Sequence, residues 1–113
     1  IVGEIAPSNE FYDYEAKYIL GTTELYIPAR LTPEETQKVK ETALKAYQVL
    51  GCGGLARIDF FVTPDHEVIL NEPNTMPGFT AISMYPKLWE NSGLSYPELL
   101  DQLISMAIER AEF

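Results

Sequence analysis

Arg57-Ile58-Asp59-Phe60-Phe61-Val62-Thr63-Pro64-Asp65-His66-Glu67-Val68-Ile69-Leu70-Asn71-Glu72-Pro73-Asn74 is the stretch on which the reading of this chain turns. Leu55–Val62 is rich in β-branched and aromatic residues and reads as a strand. Thr63-Pro64-Asp65-His66 carries turn chemistry, and Glu67–Glu72 reads as a second strand. An antiparallel hairpin closed by a four-residue loop at Pro64–Glu67 sets Asp59 opposite Glu72 and Arg57 opposite Asn74. The side-chain period of two then gathers all four on one face.

Two carboxylates facing each other across a ladder destabilise it, because paired Cβ atoms lie about 4.5–5.5 Å apart. A divalent cation between them reverses the sign of that interaction. The donors are hard oxygens, which favours Mg²⁺ or Mn²⁺ over zinc. Mg²⁺ held by one or two carboxylates completes its shell with phosphate and water, so the pattern points to a nucleotide-phosphate site. The same spacing also fits a solvated hairpin face carrying ordinary surface acids, because the register is inferred.

The chain has 113 residues, enough for one small domain, and 46% of them are hydrophobic, which fits a globular chain. Net charge is −9. That argues against nucleic acid or an anionic membrane as partner, but not against ATP, since a local cation offsets the global field. The single cysteine, Cys52, cannot form an internal disulfide and suits a reducing compartment. Cys–His catalysis is disfavoured, because the one histidine, His66, falls in the turn. No apolar run approaches the length of a membrane span. Ile1-Val2-Gly3 has neither an initiator Met nor a signal pattern, as expected of a piece of a longer protein.

Outward from the hairpin, residues 1–5 read as the end of a strand and residues 6–31 as one long aromatic loop. Loops of that length are usually functional or disordered, and its tyrosines argue for order. Thr32, Pro33 and Glu35 form a helix start with a capping box. Val39, Ala43, Tyr47 and Leu50 make its core stripe, and Gly51 or Gly53 ends it. Gly78 sits in a turn segment where it permits close approach to a ligand or serves the turn alone. Pro86 opens a short helix ended by Gly93. Ser95-Tyr96-Pro97-Glu98 is a second capping box, leading a helix to about Glu109 with Leu99, Leu100, Leu103, Ile104, Ala107 and Ile108 as a buried stripe. Mixed strands and helices without βαβ repetition predict an α+β fold. There is no Walker A motif and no dinucleotide glycine fingerprint.

Phe11-Tyr12-Asp13-Tyr14-Glu15-Ala16-Lys17-Tyr18, Gly54–Phe61, Asn71–Thr80 and Ile82-Ser83-Met84-Tyr85-Pro86 resemble the C-terminal part of the D-alanine–D-alanine ligase family, within the ATP-grasp superfamily. The resemblance runs from Gly3 to Arg110. It implies the C-terminal lobe of an ATP-grasp fold over residues 1–113, with the family's N-terminal domain and most of its central domain outside this sequence. It implies a mobile active-site loop over residues 6–31. The implied reaction is the ATP-dependent joining of two D-alanines through an acyl phosphate, in cytoplasmic peptidoglycan precursor synthesis, by a homodimeric parent.

Carried over residue by residue, the resemblance makes Asp59, Glu72 and Asn74 ligands of two Mg²⁺ ions, with Glu72 bridging. Arg57 and the Gly78 N–H become the oxyanion site. Lys17 reaches the transferred phosphate, and Tyr18 helps close the loop. Ser83 and the Met84 N–H hold the second substrate's carboxylate. Phe11, Leu70 and Asn71 lie where the family builds its nucleotide pocket. Bland alternatives stand beside these: an ion pair for Arg57, a solvated Lys17, and a helix N-cap for Ser83. Lys17-Tyr18 resembles loops of ligases with an amine acceptor. Several D-serine-using relatives carry histidine where this chain has Tyr26, which favours D-alanine. Pro73 departs from the aliphatic residue usual there. The competing readings are a D-alanine–D-serine or other carboxylate–amine ligase, and a noncatalytic binding fragment.

Overall fold

The hairpin forms, but by a different route from the one the sequence suggests. A computed structural model describes residues 1–6 and 24–111. In it β3 (Arg57–Val62) and β4 (Val68–Asn74) pair antiparallel. The expected four-residue loop is a three-residue one, Pro64–His66. The Thr63 N–H donates to the Glu67 carbonyl at 2.9 Å, and the His66 N–H donates to the Thr63 carbonyl at 2.9 Å. His66 takes φ +67°, the left-handed residue that a three-residue hairpin loop requires. Its Nδ1 lies 3.0 Å from a carboxylate oxygen of Glu35.

That loop sets Val62 opposite Val68 and Phe60 opposite Leu70. Continued without interruption, the ladder would put Asp59 against Asn71 and turn Glu72 to the other face. A bulge between Asp59 and Phe60 leaves Asn71 without a paired residue and restores Asp59 opposite Glu72 and Arg57 opposite Asn74. The expected register at the acids is therefore right because two one-residue offsets cancel. Pro73 is tolerated because β4 is an edge of a two-stranded sheet.

The second two-stranded sheet pairs β1 (Glu4–Ala6) with β2 (Glu24–Tyr26), Ile5 opposite Leu25. The end of the segment expected to be one loop is thus a strand, and residues 7–23 lie outside the described residues. Arg30 ties this sheet to the next element, with its Nη2 2.6 Å from Glu4 Oε2 and its guanidinium 3.7 Å from the centre of the Tyr26 ring.

Helix α1 (Pro33–Val49) starts as its capping box dictates: the Glu35 N–H donates to Thr32 Oγ1 at 3.1 Å, and the Thr32 N–H donates to the Glu35 carboxylate at 2.9 Å. The Thr32 N–H and then His66 hold that carboxyl below the usual range. Gly51 at φ +68° terminates the helix. α1 packs on β4, burying Val39, and the Tyr47 hydroxyl donates to the Gly54 carbonyl at 2.8 Å.

Helix α2 spans Met84–Asn91, so Pro86 is its third residue and not its first. The first-turn N–H groups have no intrahelical partner, so proline costs nothing there. α3 (Tyr96–Arg110) packs on α2. Its cap is half a box: Ser95 Oγ accepts from the Glu98 N–H at 3.3 Å and donates to the Glu98 carboxylate at 2.8 Å. Met84, Tyr85, Pro86 and Leu99 form a small core. Burial pushes the Tyr85 hydroxyl pKa up. The expected buried stripe of α3 is largely exposed: Leu99 is buried, but Ile104 and Ile108 are each 59% exposed. An amphipathic pattern declares a contact face without stating what covers it. No helix among the described residues is long and apolar enough to cross a membrane.

Candidate active site

The bulged hairpin and the start of α2 converge on a cleft of about 220 Å³. The hairpin contributes Arg57, Glu72 and Asn74. The loop after β4 contributes Gly78, and the helix start contributes Ser83 and Met84. Six residues singled out from the sequence thus share one cavity. The local reason is the order of turns: β4 ends at Asn74, a short loop reverses the chain, and α2 begins at Met84 with its first N–H groups pointing back.

Between these elements the loop is folded tightly on Ser83. Ser83 occupies the N-cap position, yet its hydroxyl makes no capping bond. Ser83 Oγ instead accepts from the Thr80 N–H at 2.9 Å and lies 2.8 Å from Thr80 Oγ1. The N-cap alternative for Ser83 holds in position but not through its hydroxyl, and Ser83 also lines the cleft. A Cβ on Gly78 would stand 2.9 Å from Ser83 Oγ, closer than any real side chain sits. Gly78 is required for that approach.

Arg57 forms the ion pair that spacing suggested. Its Nε lies 2.8 Å from Asp59 Oδ1, and its Nη2 donates to Asp59 Oδ2 at 3.0 Å. Both groups are about one-quarter exposed. The fork fixes the guanidinium on Asp59, and Arg57 lines the cleft with Glu72 and Asn74. Asp59 lies on the same ladder face as Glu72 but does not line the cleft. Neither do Leu70 and Asn71. Leu70 pairs with Phe60, so alternation assigns it to the face away from Asp59 and Glu72, and Asn71 is the bulge residue. Phe11, Lys17 and Tyr18 lie outside the described residues.

The donor set suits a hard cation. Asp59 and Glu72 face each other, with Asn74 two residues on. Each Asp59 oxygen takes one bond from Arg57 and keeps a second lone pair. No group of three His, Cys, Asp or Glu side chains that could hold a metal occurs among the described residues. A site here therefore rests on two carboxylates and a carboxamide, with further ligands from phosphate or water.

Sequence reasoning missed the apolar walls. Ile5, Met76 and Ile82 line the cleft, and Pro77 is buried beneath it. Ile5 arrives from β1, more than fifty residues before the nearest other lining residue. No local pattern announces such a contact. Close packing just before β1 helps position it: a Cβ on Gly3 would fall 2.6 Å from Leu88 Cδ2, so the residue leading into the strand lies directly against α2.

Comparison with known proteins shows the family of the chain. A family model described as D-ala D-ala ligase C-terminus matches residues 1–105. The D-alanine–D-alanine ligase of Bacillus cytotoxicus is 58% identical over 110 residues, 97% of this chain and 30% of that protein. The VanG D-Ala:D-Ser ligase of Enterococcus faecalis superposes with a TM-score of 0.77 at 43% identity, over 92% of this chain and 30% of that one. The Bacillus anthracis D-alanine–D-alanine ligase complexed with ATP superposes with a TM-score of 0.68 at 32% identity, over 74% of this chain and 30% of that one. The chain spans about 30% of the length of the curated relatives it matches. On the family match across nearly its whole length, the chain belongs to the D-ala D-ala ligase C-terminus family, with the α+β architecture of an ATP-grasp lobe.

Proposed function

We propose that this chain is the C-terminal part of an ATP-dependent ligase that joins two D-alanines for peptidoglycan precursor synthesis in the cytoplasm. The carrying observation is the convergence of Arg57, Glu72, Asn74, Gly78, Ser83 and Met84 on one cleft. In the first step, a carboxylate oxygen of one D-alanine attacks the γ-phosphorus of ATP, giving an acyl phosphate and ADP. In the second, the amine of another D-alanine attacks the acyl carbon, and phosphate leaves with the bonding pair.

The residues divide the work by chemistry. Asp59, Glu72 and Asn74 would hold two Mg²⁺ ions, which would neutralise charge on the transferring phosphoryl group. Mn²⁺ suits the same donors. Arg57, steered by its fork on Asp59, faces the reacting carboxyl oxygen together with the Gly78 N–H. The Ser83 hydroxyl and the Met84 N–H receive the second substrate's carboxylate, where the α2 dipole favours negative charge. Lys17 reaches the phosphate, and Tyr18 helps shut the loop, because an acyl phosphate open to water hydrolyses. Phe11, Leu70 and Asn71 complete the nucleotide pocket, Leu70 from the hairpin face away from Asp59 and Glu72. The parent is a homodimer.

The test is phosphate release by the full-length ligase carrying this segment, with ATP, Mg²⁺ and a panel of acceptors. Release that depends on D-alanine alone is the expected result; release with a different carboxylate only would sink the reading. The likeness to the VanG D-Ala:D-Ser ligase supports D-serine as a second acceptor. Tyr26, where several D-serine ligases carry histidine, supports D-alanine. Comparing D-alanine with D-serine as second substrate separates the two.

A further inference from the structure

The tight loop at Gly78–Ser83 has support beyond its own hydrogen bonds. Its outward side rests on an aromatic brace. The Tyr96 hydroxyl donates to the Phe79 carbonyl at 2.6 Å. The Phe79 ring stands edge-on to the Tyr96 ring at 5.1 Å between centres and tilted against the Tyr85 ring at 5.8 Å. Tyr85 is in α2 and Tyr96 in α3, so Phe79 joins the loop to both helices.

Tyr96 does not line the cleft, and its partner is the residue directly after Gly78. The peptide plane that carries the Phe79 carbonyl follows the Phe79 residue. Rotating it would re-aim the Thr80 N–H and, with it, the Ser83 hydroxyl that this N–H holds at 2.9 Å. The Thr80 N–H bonded to Ser83 Oγ belongs to the peptide whose carbonyl Tyr96 holds, so one hydrogen bond locks both. The peptide unit is planar and trans, so fixing its oxygen fixes its N–H.

We propose that Tyr96 is a positioning residue for the ligation. Acting through the Phe79–Thr80 peptide, it holds the Ser83 hydroxyl in its working direction. The proposal rests on the ligase reading above and adds a residue to it. It predicts a kinetic effect out of proportion to stability, since an oriented donor counts most in the transition state.

A second tyrosine supplies the control. Tyr47 makes the same kind of half-buried bond, hydroxyl to the Gly54 carbonyl at 2.8 Å, away from the cleft loop. In the full-length ligase, Tyr96→Phe and Tyr47→Phe each remove one hydroxyl and keep the ring. The expected result is a drop in kcat of about tenfold for Tyr96→Phe, the rate equivalent of ~1.4 kcal/mol, with KM for ATP unchanged within about twofold. Tyr47→Phe should keep kcat within about twofold while lowering the thermal midpoint as much as Tyr96→Phe does. Equal kcat losses in both variants, a loss confined to KM for ATP, or no loss for Tyr96→Phe would overturn the proposal. So would a Tyr96→Phe protein whose lost activity merely follows a larger loss of folded protein. Absence of D-alanine-dependent turnover in the unmodified enzyme would instead remove the ligase reading itself.

Discussion

Adding one methyl group at Gly78 is a sharp trial of the loop geometry. In Gly78→Ala the new Cβ would lie 2.9 Å from Ser83 Oγ, about 0.5 Å inside ordinary contact. Ser83 Oγ cannot retreat freely, because the Thr80 N–H holds it at 2.9 Å and Thr80 Oγ1 at 2.8 Å. Moving it by that amount stretches these bonds to about 3.3–3.4 Å, beyond the useful range. The loss of one to two partly exposed hydrogen bonds costs about 1–2 kcal/mol, or roughly 2–4 °C in thermal midpoint. The same shift displaces the oxyanion donor and the carboxylate hydroxyl, so turnover should fall about 10²-fold. The decisive comparison is made in a Ser83→Ala background. There the nearest neighbour becomes the residue-83 Cβ at 3.5 Å, an ordinary contact. Gly78→Ala should then cost under about 0.5 kcal/mol of stability. Thermal unfolding of the four full-length proteins and phosphate release measure both quantities. An equal stability cost in both backgrounds would refute the clash argument.

Glu72→Gln in the full-length ligase should lower turnover by about 10²-fold or more and raise the Mg²⁺ concentration needed, read from phosphate release across a metal titration; intact turnover would favour the noncatalytic binding role. Thr32→Ala removes the hydroxyl of the α1 capping box and should cost about 1 kcal/mol in thermal unfolding with no change in KM for ATP. Hydrogen bonds from Arg30 hold the Glu4 carboxyl below its ordinary value of 4.5, so the folded form releases its proton more readily than the unfolded. Its contribution is therefore complete well above pH 4.5 and disappears as pH falls through the lowered folded value. The wild-type advantage over Glu4→Gln should be no more than ~1 kcal/mol at neutral pH and vanish in acid, checked by thermal midpoints from pH 7 down to about 3.

Local signals in the sequence were enough for the elements with strong chemistry of their own. Thr32-Pro33-Glu35 announces α1 because the cap satisfies orphan N–H groups within four residues of chain. Ser95 and Glu98 announce α3, and the β-branched and aromatic run announces β3. β2 escaped notice because a three-residue strand carries too little pattern to read, and its pairing with β1 is non-local. The exposed stripe of α3 misled for a related reason: periodicity shows that a face is apolar and not what lies upon it.

What the sequence by itself determined is the chemistry: two carboxylates, a carboxamide, an arginine, a glycine and a serine in a fixed order, with the turn and cap residues that place them near strand and helix ends. Their meeting was decided by tertiary structure. The bulge at Asn71 puts Glu72 opposite Asp59, where a regular ladder from the same turn would have sent it to the far side. Side-chain alternation has a period of two, so one residue of slip inverts a face, and only pairing with the partner strand settles where the slip occurs. Ile5 in the cleft wall and Tyr96 beneath the loop were likewise assigned by packing, since contacts across such sequence distances leave no trace in local composition.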